Sequence, residues 1–156
     1  MVATHIRQYG DEDFSQVLEI ALRLLGQVRS EAEGVIRWAS RDDSAAQIFV
    51  AEAKGKIVGF LMLEWSGTQW NRVAEIGLIA VLPRYRRKGF GSSLIKRMEQ
   101  YAKKKRIRKT YVEPSGENKI AIHFFIKNGY KPEATRRDWY KDGEDSLILG
   151  KHLRNE

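Results

Sequence analysis

A basic turn punctuated by two glycines constrains this chain more than any other stretch. It covers residues 86–93, RRKGFGSS, between an apolar run over residues 76–82 and the start of a helical pattern. Gly89 and Gly91 allow the backbone to bend and to approach a ligand closely. A helix that begins there presents free N–H groups and the positive end of its dipole. The turn is therefore predicted to bind phosphate groups.

Hydrophobic spacing predicts a mixture of helices and strands on both sides of this turn. Apolar residues at three- and four-residue steps predict an amphipathic helix over residues 11–25. A second helix is predicted over residues 30–38, with Ser30 as its N-cap. Strands over residues 48–53 and 57–64 have a three-residue link, which predicts an antiparallel hairpin. The other predicted elements are strands over residues 3–9, 72–82, 110–113, 130–136 and 146–153, and helices from residue 89 and over residues 117–127.

Two common phosphate-binding motifs do not fit the turn. A P-loop requires Gly-x-x-x-x-Gly-Lys-Ser/Thr, which no stretch of the sequence supplies. The dinucleotide pattern Gly-x-Gly-x-x-Gly is met at Gly89 and Gly91, but its third position is Leu94. A dinucleotide-binding fold would also alternate strands with helices, whereas two helices and a hairpin are predicted before this turn.

Length and composition favour one compact domain over residues 1–156. The longest apolar stretch is too short to cross a bilayer and no secretion signal is visible, so a soluble, cytoplasmic protein is expected. The formal charge of +8 favours an anionic partner. The absence of cysteine excludes disulfides and a cysteine nucleophile, and the three histidines have no clustered ligands, so no metal is expected.

The turn fits a third phosphate-binding pattern, Arg/Gln-x-x-Gly-x-Gly/Ala, at Arg86, Gly89 and Gly91. It follows a strand that ends near Pro83. In this the turn resembles the acetyl-CoA pyrophosphate loop of the GNAT superfamily of N-acetyltransferases.

A second signature of the same superfamily, Asn-x-x-Ala-x-x-x-Tyr-x-x-x-Gly-Phe, is matched at Asn118, Ala121 and Gly129, with Tyr130 in the last position. The predicted order of elements is also similar to that of the superfamily from end to end. The resemblance implies an α/β, three-layer acyltransferase fold with a mixed, mostly antiparallel sheet flanked by helices.

The resemblance also implies a binding site for acetyl-CoA as co-substrate. Backbone N–H groups of residues 87–92 would hold the pyrophosphate, with positive charge from Arg86, Arg87 and Lys88. The preceding strand would bind the pantetheine arm through its backbone, and the helix that follows Asn118 would line its other side. The predicted coenzyme-binding residues are Ile79, Ala80, Val81, Arg86, Arg87, Lys88, Gly89, Phe90, Gly91, Ser92, Asn118, Ala121 and Phe125.

Acetyl transfer to an amine needs a neutral nitrogen, a base, and a proton for the departing thiolate. Glu75 and Glu113 match positions at which branches of the superfamily place a basic glutamate, and the sequence leaves open which of them serves. Many members have tyrosine at the position of Phe125, and phenylalanine cannot donate a proton. Water, Tyr130 or Tyr140 would then have to supply it.

The predicted function is N-acetylation of a primary amine on a protein N-terminus, a lysine or a small molecule. Without cysteine, direct attack in a ternary complex is the simplest route. The alternative is a non-catalytic protein that senses acyl-CoA or binds nucleic acid through its basic surface. Phe125 and the net charge favour this alternative. No membrane partner is expected, nucleic acid is a secondary candidate partner, and the protein would be a monomer or a homodimer.

Overall fold

The computed structural model describes residues 4–153. Within that range the chain forms seven strands, four α-helices and two short 3-10 turns. In chain order the elements are β1 (His5–Gln8), a turn at Asp11–Asp13, α1 (Phe14–Leu24), α2 (Arg29–Ala39), β2 (Ala46–Ala53), β3 (Lys56–Ser66), β4 (Val73–Val81), a turn at Pro83–Tyr85, α3 (Phe90–Lys104), β5 (Lys109–Val112), α4 (Lys119–Lys127), β6 (Lys131–Arg136) and β7 (Ser146–His152).

The strands form one mixed sheet in the order β1-β2-β3-β4-β5-β7-β6. The pairs β1–β2, β2–β3, β5–β7 and β6–β7 are antiparallel, whereas β4 and β5 are parallel. The predicted sheet type and the antiparallel β2–β3 hairpin are therefore confirmed. A long connection through α3 links β4 to β5, as a parallel pair requires.

The predicted starts of two helices were wrong by one or two residues. Helix α2 begins at Arg29 after the extended residue Val28, so Ser30 lies inside the helix and is not its N-cap. Helix α4 begins at Lys119, and the preceding Asn118 is its cap, with Oδ1 accepting a hydrogen bond from the N–H of Ala121 at 3.2 Å. A short polar side chain directly before a helix satisfies one of its free N–H groups, which fixes the later start.

The described chain divides into two compact units. The first contains residues 4–65 and 76–101, with strands β1 and β2, nearly all of β3, most of β4, helices α1 and α2, and all but the last residues of α3. Its core lies where α1 and α2 pack on β2 and β3. Fully buried members of this core are Val17, Ala21, Ala32, Ile36, Ile48, Val50 and Phe60.

The second unit contains residues 66–75 and 102–153, with the start of β4, strands β5 to β7, and α4. Its core includes Phe125, Tyr130 and Leu149, which are all 2% exposed or less. The rings of Phe125 and Tyr130 lie 5.5 Å apart in an edge-to-face arrangement. The prediction that residues 1–156 form one domain stays a prediction.

A buried ion pair joins β1 to the turn before α1 in the first unit. The guanidinium of Arg7 donates to both carboxylate oxygens of Asp13, at 2.7 and 2.9 Å, and the N–H of Gly10 also donates to Asp13. Asp13 is 2% exposed. These bonds replace the water that the buried carboxylate has lost.

Strand β6 stands at one edge of the sheet, and all six of its residues are exposed. Its pairing with β7 shifts register between Pro132 and Ala134, which marks a local irregularity. No helix in the part of the chain that the structure describes is long and apolar enough to span a membrane.

Candidate active site

The predicted phosphate loop joins β4 to α3 in the first unit. Gly89 has φ +88°, and a Cβ added there would meet no atom within 4 Å. Arg87 also has a positive φ, +59°. The first helical bond of α3 is donated by Ser93 N–H to Gly89 O at 2.9 Å, and the N–H groups of residues 87–92 have no acceptor among the described residues. These free N–H groups fit an anionic ligand at the helix N-terminus.

The side chains of the loop differ in what they offer a ligand. Arg87 and Lys88 are exposed, and neither forms an ion pair within residues 4–153. Arg86 donates from Nε to the carbonyl of Val81 at 2.9 Å, which ties the loop back to the end of β4. Phe90 is buried, so only its backbone N–H can reach a ligand. Lys88 Nζ lies 5.8 Å from the centroid of the Tyr85 ring. The exposed charges at the loop without a carboxylate partner among the described residues are Arg87 and Lys88.

Strand β4 lies close to β3 at the predicted pantetheine segment. Leu82 N–H donates to Val58 O at 2.8 Å, and a Cβ on Gly59 would lie 2.7 Å from Ala80 O. Such a contact is too short for any side chain, so glycine at position 59 permits this close approach. Ala80 is buried, whereas Ile79 and Val81 are partly exposed.

The two predicted catalytic glutamates lie on the second unit. Glu75 near the start of β4 pairs in parallel register with Tyr111 of β5. Residues paired in register point to the same face of a sheet, and so do residues two positions apart in one strand. Glu75, Tyr111 and Glu113 are therefore expected on one face. Glu113 directly follows β5, and both Tyr111 and Glu113 line a pocket of about 290 Å³. Its lining residues are Val73, Arg108, Lys109, Tyr111, Glu113, Glu133, Arg136 and Ile148.

Glu113 is held by the last residue of β6 and by the loop that follows it. Its side chain is 10% exposed, and Oε1 lies 3.0 Å from Nη2 of Arg136. The guanidinium of Arg136 in turn stacks over the ring of Trp139, with 4.7 Å between Cζ and the ring centroid. Tyr140 donates its hydroxyl to the carbonyl of Glu113 at 2.5 Å. Glu113 is thus a partly buried carboxylate with one charged partner.

Tyr140 has a perturbed hydroxyl. Burial raises the pKa of Tyr140, and the negative charges of Glu113, Glu75 and Glu144 raise it further. The phenol therefore keeps its proton through neutral pH. Tyr130, the other candidate proton source, is 1% exposed and shares a hydrogen bond of 2.8 Å with the hydroxyl of Thr110. Its hydroxyl is committed to the core.

The second signature lies at α4. Asn118 caps this helix, Ala121 is partly exposed, and Phe125 is 2% exposed with its ring 5.2 Å from that of Phe124. Sequence spacing placed these three residues on one helical face, but Phe125 packs into the core of the second unit. Contact of Ala121 and Phe125 with the coenzyme remains a prediction.

A second pocket, of about 620 Å³, lies on the second unit beside the loop between β6 and β7. Three of its lining residues are the carboxylates Glu117, Glu144 and Asp145, and none is basic. The buried hydroxyl of Ser146, also in the lining, has no hydrogen-bond partner among the described residues. In a chain of net charge +8 this is a locally negative site.

Arg136 is the site residue that sequence reasoning missed. It contacts Glu113, which lies in a different strand segment, and a lone arginine in a basic chain carries no signal of that pairing. The only hint is its position in the cluster RRDWY, where cations and aromatics meet in a hairpin loop.

The similarity of this chain to known proteins identifies its family. The model of the family described as Acetyltransferase (GNAT) family matches residues 13–130, more than half of the chain. This chain belongs to the GNAT family of acetyltransferases. The matched region includes the phosphate loop, both glutamates and the α4 signature.

Individual GNAT proteins are similar over most of the chain. An N-alpha-acetyltransferase of Sulfurisphaera tokodaii is 32% identical over 117 residues, which cover 69% of this chain and 70% of the relative. The crystal structure of ribosomal-protein-S18-alanine N-acetyltransferase from Escherichia coli has a TM-score of 0.82 at 22% identity, covering 99% of this chain and 96% of that chain. Arabidopsis thaliana NAA60, solved with acetyl-CoA, has a TM-score of 0.81 at 13% identity and covers 98% and 100%.

These GNAT matches confirm the predicted family, fold and class of reaction. The protein is an N-acetyltransferase that takes its acetyl group from acetyl-CoA and transfers it to an amine. Within residues 4–153 no group of three or more His, Cys, Asp or Glu residues could hold a metal ion.

Proposed function

We propose that the protein acetylates the N-terminal α-amine of a protein or peptide. The observation that carries this acceptor class is the similarity to an N-alpha-acetyltransferase over 69% of the chain. The surroundings of Glu113 support it, because a partly buried carboxylate, a protonated phenol and aromatic side chains meet at one place. An amine that enters such a site can lose a proton to a carboxylate and find an apolar wall.

Glu113 or Glu75 acts as the base, directly or through a water molecule. The base takes a proton from the acceptor ammonium, and the neutral nitrogen then attacks the thioester carbonyl carbon. The new C–N bond forms as the C–S bond breaks, and the nitrogen loses its second proton to water, from which the group that protonates the thiolate regains its own. No acyl group is held on the protein. Arg136 lies 3.0 Å from Oε1 of Glu113 and orients this carboxylate in the site.

Tyr140 supplies the proton to the departing thiolate. Its raised pKa keeps the hydroxyl protonated, and its position next to Glu113 places it among the acid and base groups. This role replaces the tyrosine that many GNAT proteins have at the position of Phe125. The proposal therefore accounts for the one departure from the second signature.

The coenzyme binds through the loop between β4 and α3. The free N–H groups of residues 87–92 hold the pyrophosphate, and Arg87 and Lys88 neutralise its charge. Val81 and its neighbours in β4 bind the pantetheine amides. Because Arg86 donates to the carbonyl of Val81, its main role is to fix the loop to the strand.

The acidic pocket beside the loop between β6 and β7 attracts positively charged acceptors. Glu117, Glu144 and Asp145 raise the local concentration of ammonium groups before one of them loses its proton. Peptides whose early residues are basic are therefore the preferred acceptors.

The test is a panel of acceptors assayed by release of free CoA thiol. Peptides with a free α-amine should release thiol faster than the same peptides with a blocked α-amine and a free lysine, or than small polyamines and aminoglycosides. Equal rates with and without any acceptor would indicate thioester hydrolysis and favour the non-catalytic alternative. Glu75→Gln and Glu113→Gln variants, measured across pH, identify the base, because the variant of the true base loses its ascending limb.

A further inference from the structure

An exposed tryptophan and a run of cations lie together on the second unit. We call this the basic–aromatic surface and define it by Trp70, Lys103, Lys104, Lys105, Arg106 and Arg108. We propose that the basic–aromatic surface binds single-stranded nucleic acid, with phosphates at the cations and a base stacked on the indole of Trp70.

Trp70 is presented by a well-defined loop. Its side chain is 83% exposed, the largest exposed fraction among the tryptophans of the described chain. The loop closes through Asn71 N–H to Thr68 O at 3.0 Å and through Gly67 at φ +92°, where a Cβ would lie 2.2 Å from Asn71 O. A tight turn therefore holds a large apolar ring in solvent, where nothing within the described residues covers it.

Three hydrogen bonds attach this loop to the basic segment. Arg108 donates from Nε to the side-chain oxygen of Asn71 at 2.8 Å and from its backbone N–H to Arg72 O at 3.0 Å. Arg72 donates from Nη1 to Lys105 O at 2.9 Å. The tryptophan loop and the cations are therefore one connected surface.

The cations of this surface are available to a partner. Lys103, Lys104, Arg106 and Arg108 are exposed, and none forms an ion pair with a carboxylate within residues 4–153. Lys103 and Lys104 lie in the last turn of α3, where they also complement the helix dipole. The dipole does not explain Arg106 and Arg108, which follow the helix.

Arg106 occupies a position where a side chain is unfavourable. It has φ +58° directly after α3, and its N–H bonds to Lys103 O at 3.0 Å while that of Ile107 bonds to Ala102 O at 2.9 Å. This helix ending usually carries glycine, because other residues are strained in the left-handed region. Arg106 therefore places a cation at a strained position on the basic–aromatic surface.

A single strand fits this surface better than other anionic partners. Stacked aromatic rings beside backbone-neutralising cations are how proteins hold unpaired bases, since every base offers a π-face. An acidic peptide would use the cations but not the exposed indole, and a duplex would hide its bases from it. An anionic membrane could bind both the cations and the exposed indole. The experiment distinguishes it from a single strand by using phosphatidylserine vesicles.

The experiment measures binding of a fluorescent oligouridylate of about 15 nucleotides at salt concentrations from about 50 to 200 mM. Trp70→Ala should weaken binding by at least about fivefold, and Trp70→Phe, which keeps an aromatic face, by less. Arg106→Gly should lower the salt slope by about 0.7, the value for one lost contact to a single strand. The same variant relieves backbone strain, so it should unfold at the same or a higher urea concentration.

Lys54→Gly is the matched control. Lys54 lies in the β2–β3 turn with φ +50°, so its replacement also removes one cation and one strained residue but not from the basic–aromatic surface. Its salt slope and affinity should equal those of the unchanged protein. The assay needs neither acetyl-CoA nor an acceptor, so it is independent of the proposed acetyl transfer.

Three results would overturn the proposal. The first is an affinity and salt slope in Trp70→Ala and Arg106→Gly equal to those of the unchanged protein. The second is displacement of the oligouridylate by CoA, which would place binding at the coenzyme loop. The third is binding to phosphatidylserine vesicles that depends on Trp70 without any binding of the oligouridylate, which would assign the surface to membranes.

Discussion

Tyr130 and Tyr140 have the same hydroxyl group in opposite surroundings. Tyr130 is buried against Thr110, whereas Tyr140 is 38% exposed and lies next to Glu113. A proton donor must be able to reach the reacting group, and a hydroxyl fixed in the core cannot do so. The two residues therefore provide a matched pair for separating catalysis from stability.

Tyr140→Phe is expected to lower kcat by about a hundredfold, because it removes the proposed proton donor. Its dissociation constant for CoA should not change. Tyr130→Phe should instead lower the free energy of unfolding by about 1 kcal/mol, because it leaves the Thr110 hydroxyl without its partner, and should keep kcat. Steady-state kinetics and urea unfolding of both variants test this, and an unchanged kcat in Tyr140→Phe would assign the proton to water.

Asp13 makes stability depend on pH. Burial acts to raise the pKa of Asp13, but hydrogen bonds from Arg7 and from Gly10 N–H, with the charge of Arg7, outweigh it and lower the pKa below its usual value. A lowered pKa in the folded state contributes stability above the unfolded value, about 3.9, and that stability is lost as pH falls through the folded value.

The free energy of unfolding should therefore fall in acid below about pH 4, and Asp13→Asn should lack this part of the fall. At neutral pH the variant should be less stable by about 2 kcal/mol, because it removes the charged hydrogen bonds between Arg7 and Asp13 and leaves Glu52, 3.4 Å away, as the carboxylate partner of Arg7. Urea unfolding at a series of pH values measures both effects. The same pH dependence in the variant and the unchanged protein would assign the acid sensitivity to other carboxylates.

Elements of the first unit depend on two glycines for different reasons. Gly59 allows β3 to approach β4, and Gly89 gives the coenzyme loop its left-handed backbone. One supports packing behind the predicted pantetheine segment, and the other shapes the proposed pyrophosphate site. Substitutions at the two positions should therefore affect stability and coenzyme affinity in different proportions.

Gly59→Ala is expected to lower the free energy of unfolding by about 2 kcal/mol, since the new Cβ would force Ala80 to move. Affinity for CoA should fall with it, because β4 carries the predicted pantetheine contacts. Gly34→Ala is the control: the Cβ would meet nothing within 4 Å inside helix α2, and the change should stabilise by up to about 1 kcal/mol. Thermal unfolding and calorimetry with CoA report both quantities.

Gly89→Glu is expected to weaken CoA binding strongly, because its carboxylate would occupy the open space that the pyrophosphate needs and would repel it. Gly55→Glu offers a close control: Gly55 has φ +77° in the β2–β3 turn, and its Cβ also meets nothing within 4 Å. The two variants should lose similar stability, while only Gly89→Glu loses affinity in calorimetry. Equal affinity in both would remove the loop from the coenzyme site.

Local signals in the sequence predicted the elements, whereas contacts between distant segments needed the structure. Alternation and helical spacing gave every strand and helix to within a few residues, and the two signatures indicated the coenzyme loop and Asn118. The ion pair of Arg136 with Glu113 has no sequence signal, since it depends on where a hairpin loop folds. The N-cap of α2 was also wrong, because a suitable serine lay one residue inside the helix.

At the scale of the whole molecule, the absence of cysteine makes direct transfer in a ternary complex the simplest route. An acyl-enzyme would need another nucleophile, such as the hydroxyl of a serine or tyrosine. The kinetic pattern with two substrates therefore distinguishes the proposed route from a covalent one.

Initial rates measured at several concentrations of acetyl-CoA and of a peptide acceptor should give intersecting lines in double-reciprocal plots. Thiol-reactive reagents should leave the enzyme fully active, since the chain has no thiol to modify. Parallel lines, or a protein that becomes acetylated when acceptor is omitted, would contradict direct transfer.

The exposed edge strand β6 has a consequence for how copies of this protein behave at high concentration. An open strand edge invites pairing with another chain, which leads to aggregates. Here Pro132 removes one backbone donor, the register shift bends the strand, and Lys131, Glu133 and Arg136 put charges along it. If Pro132 and these charged residues were replaced with apolar residues, the edge of β6 could pair with β6 of another copy, and repeated pairing would build fibres.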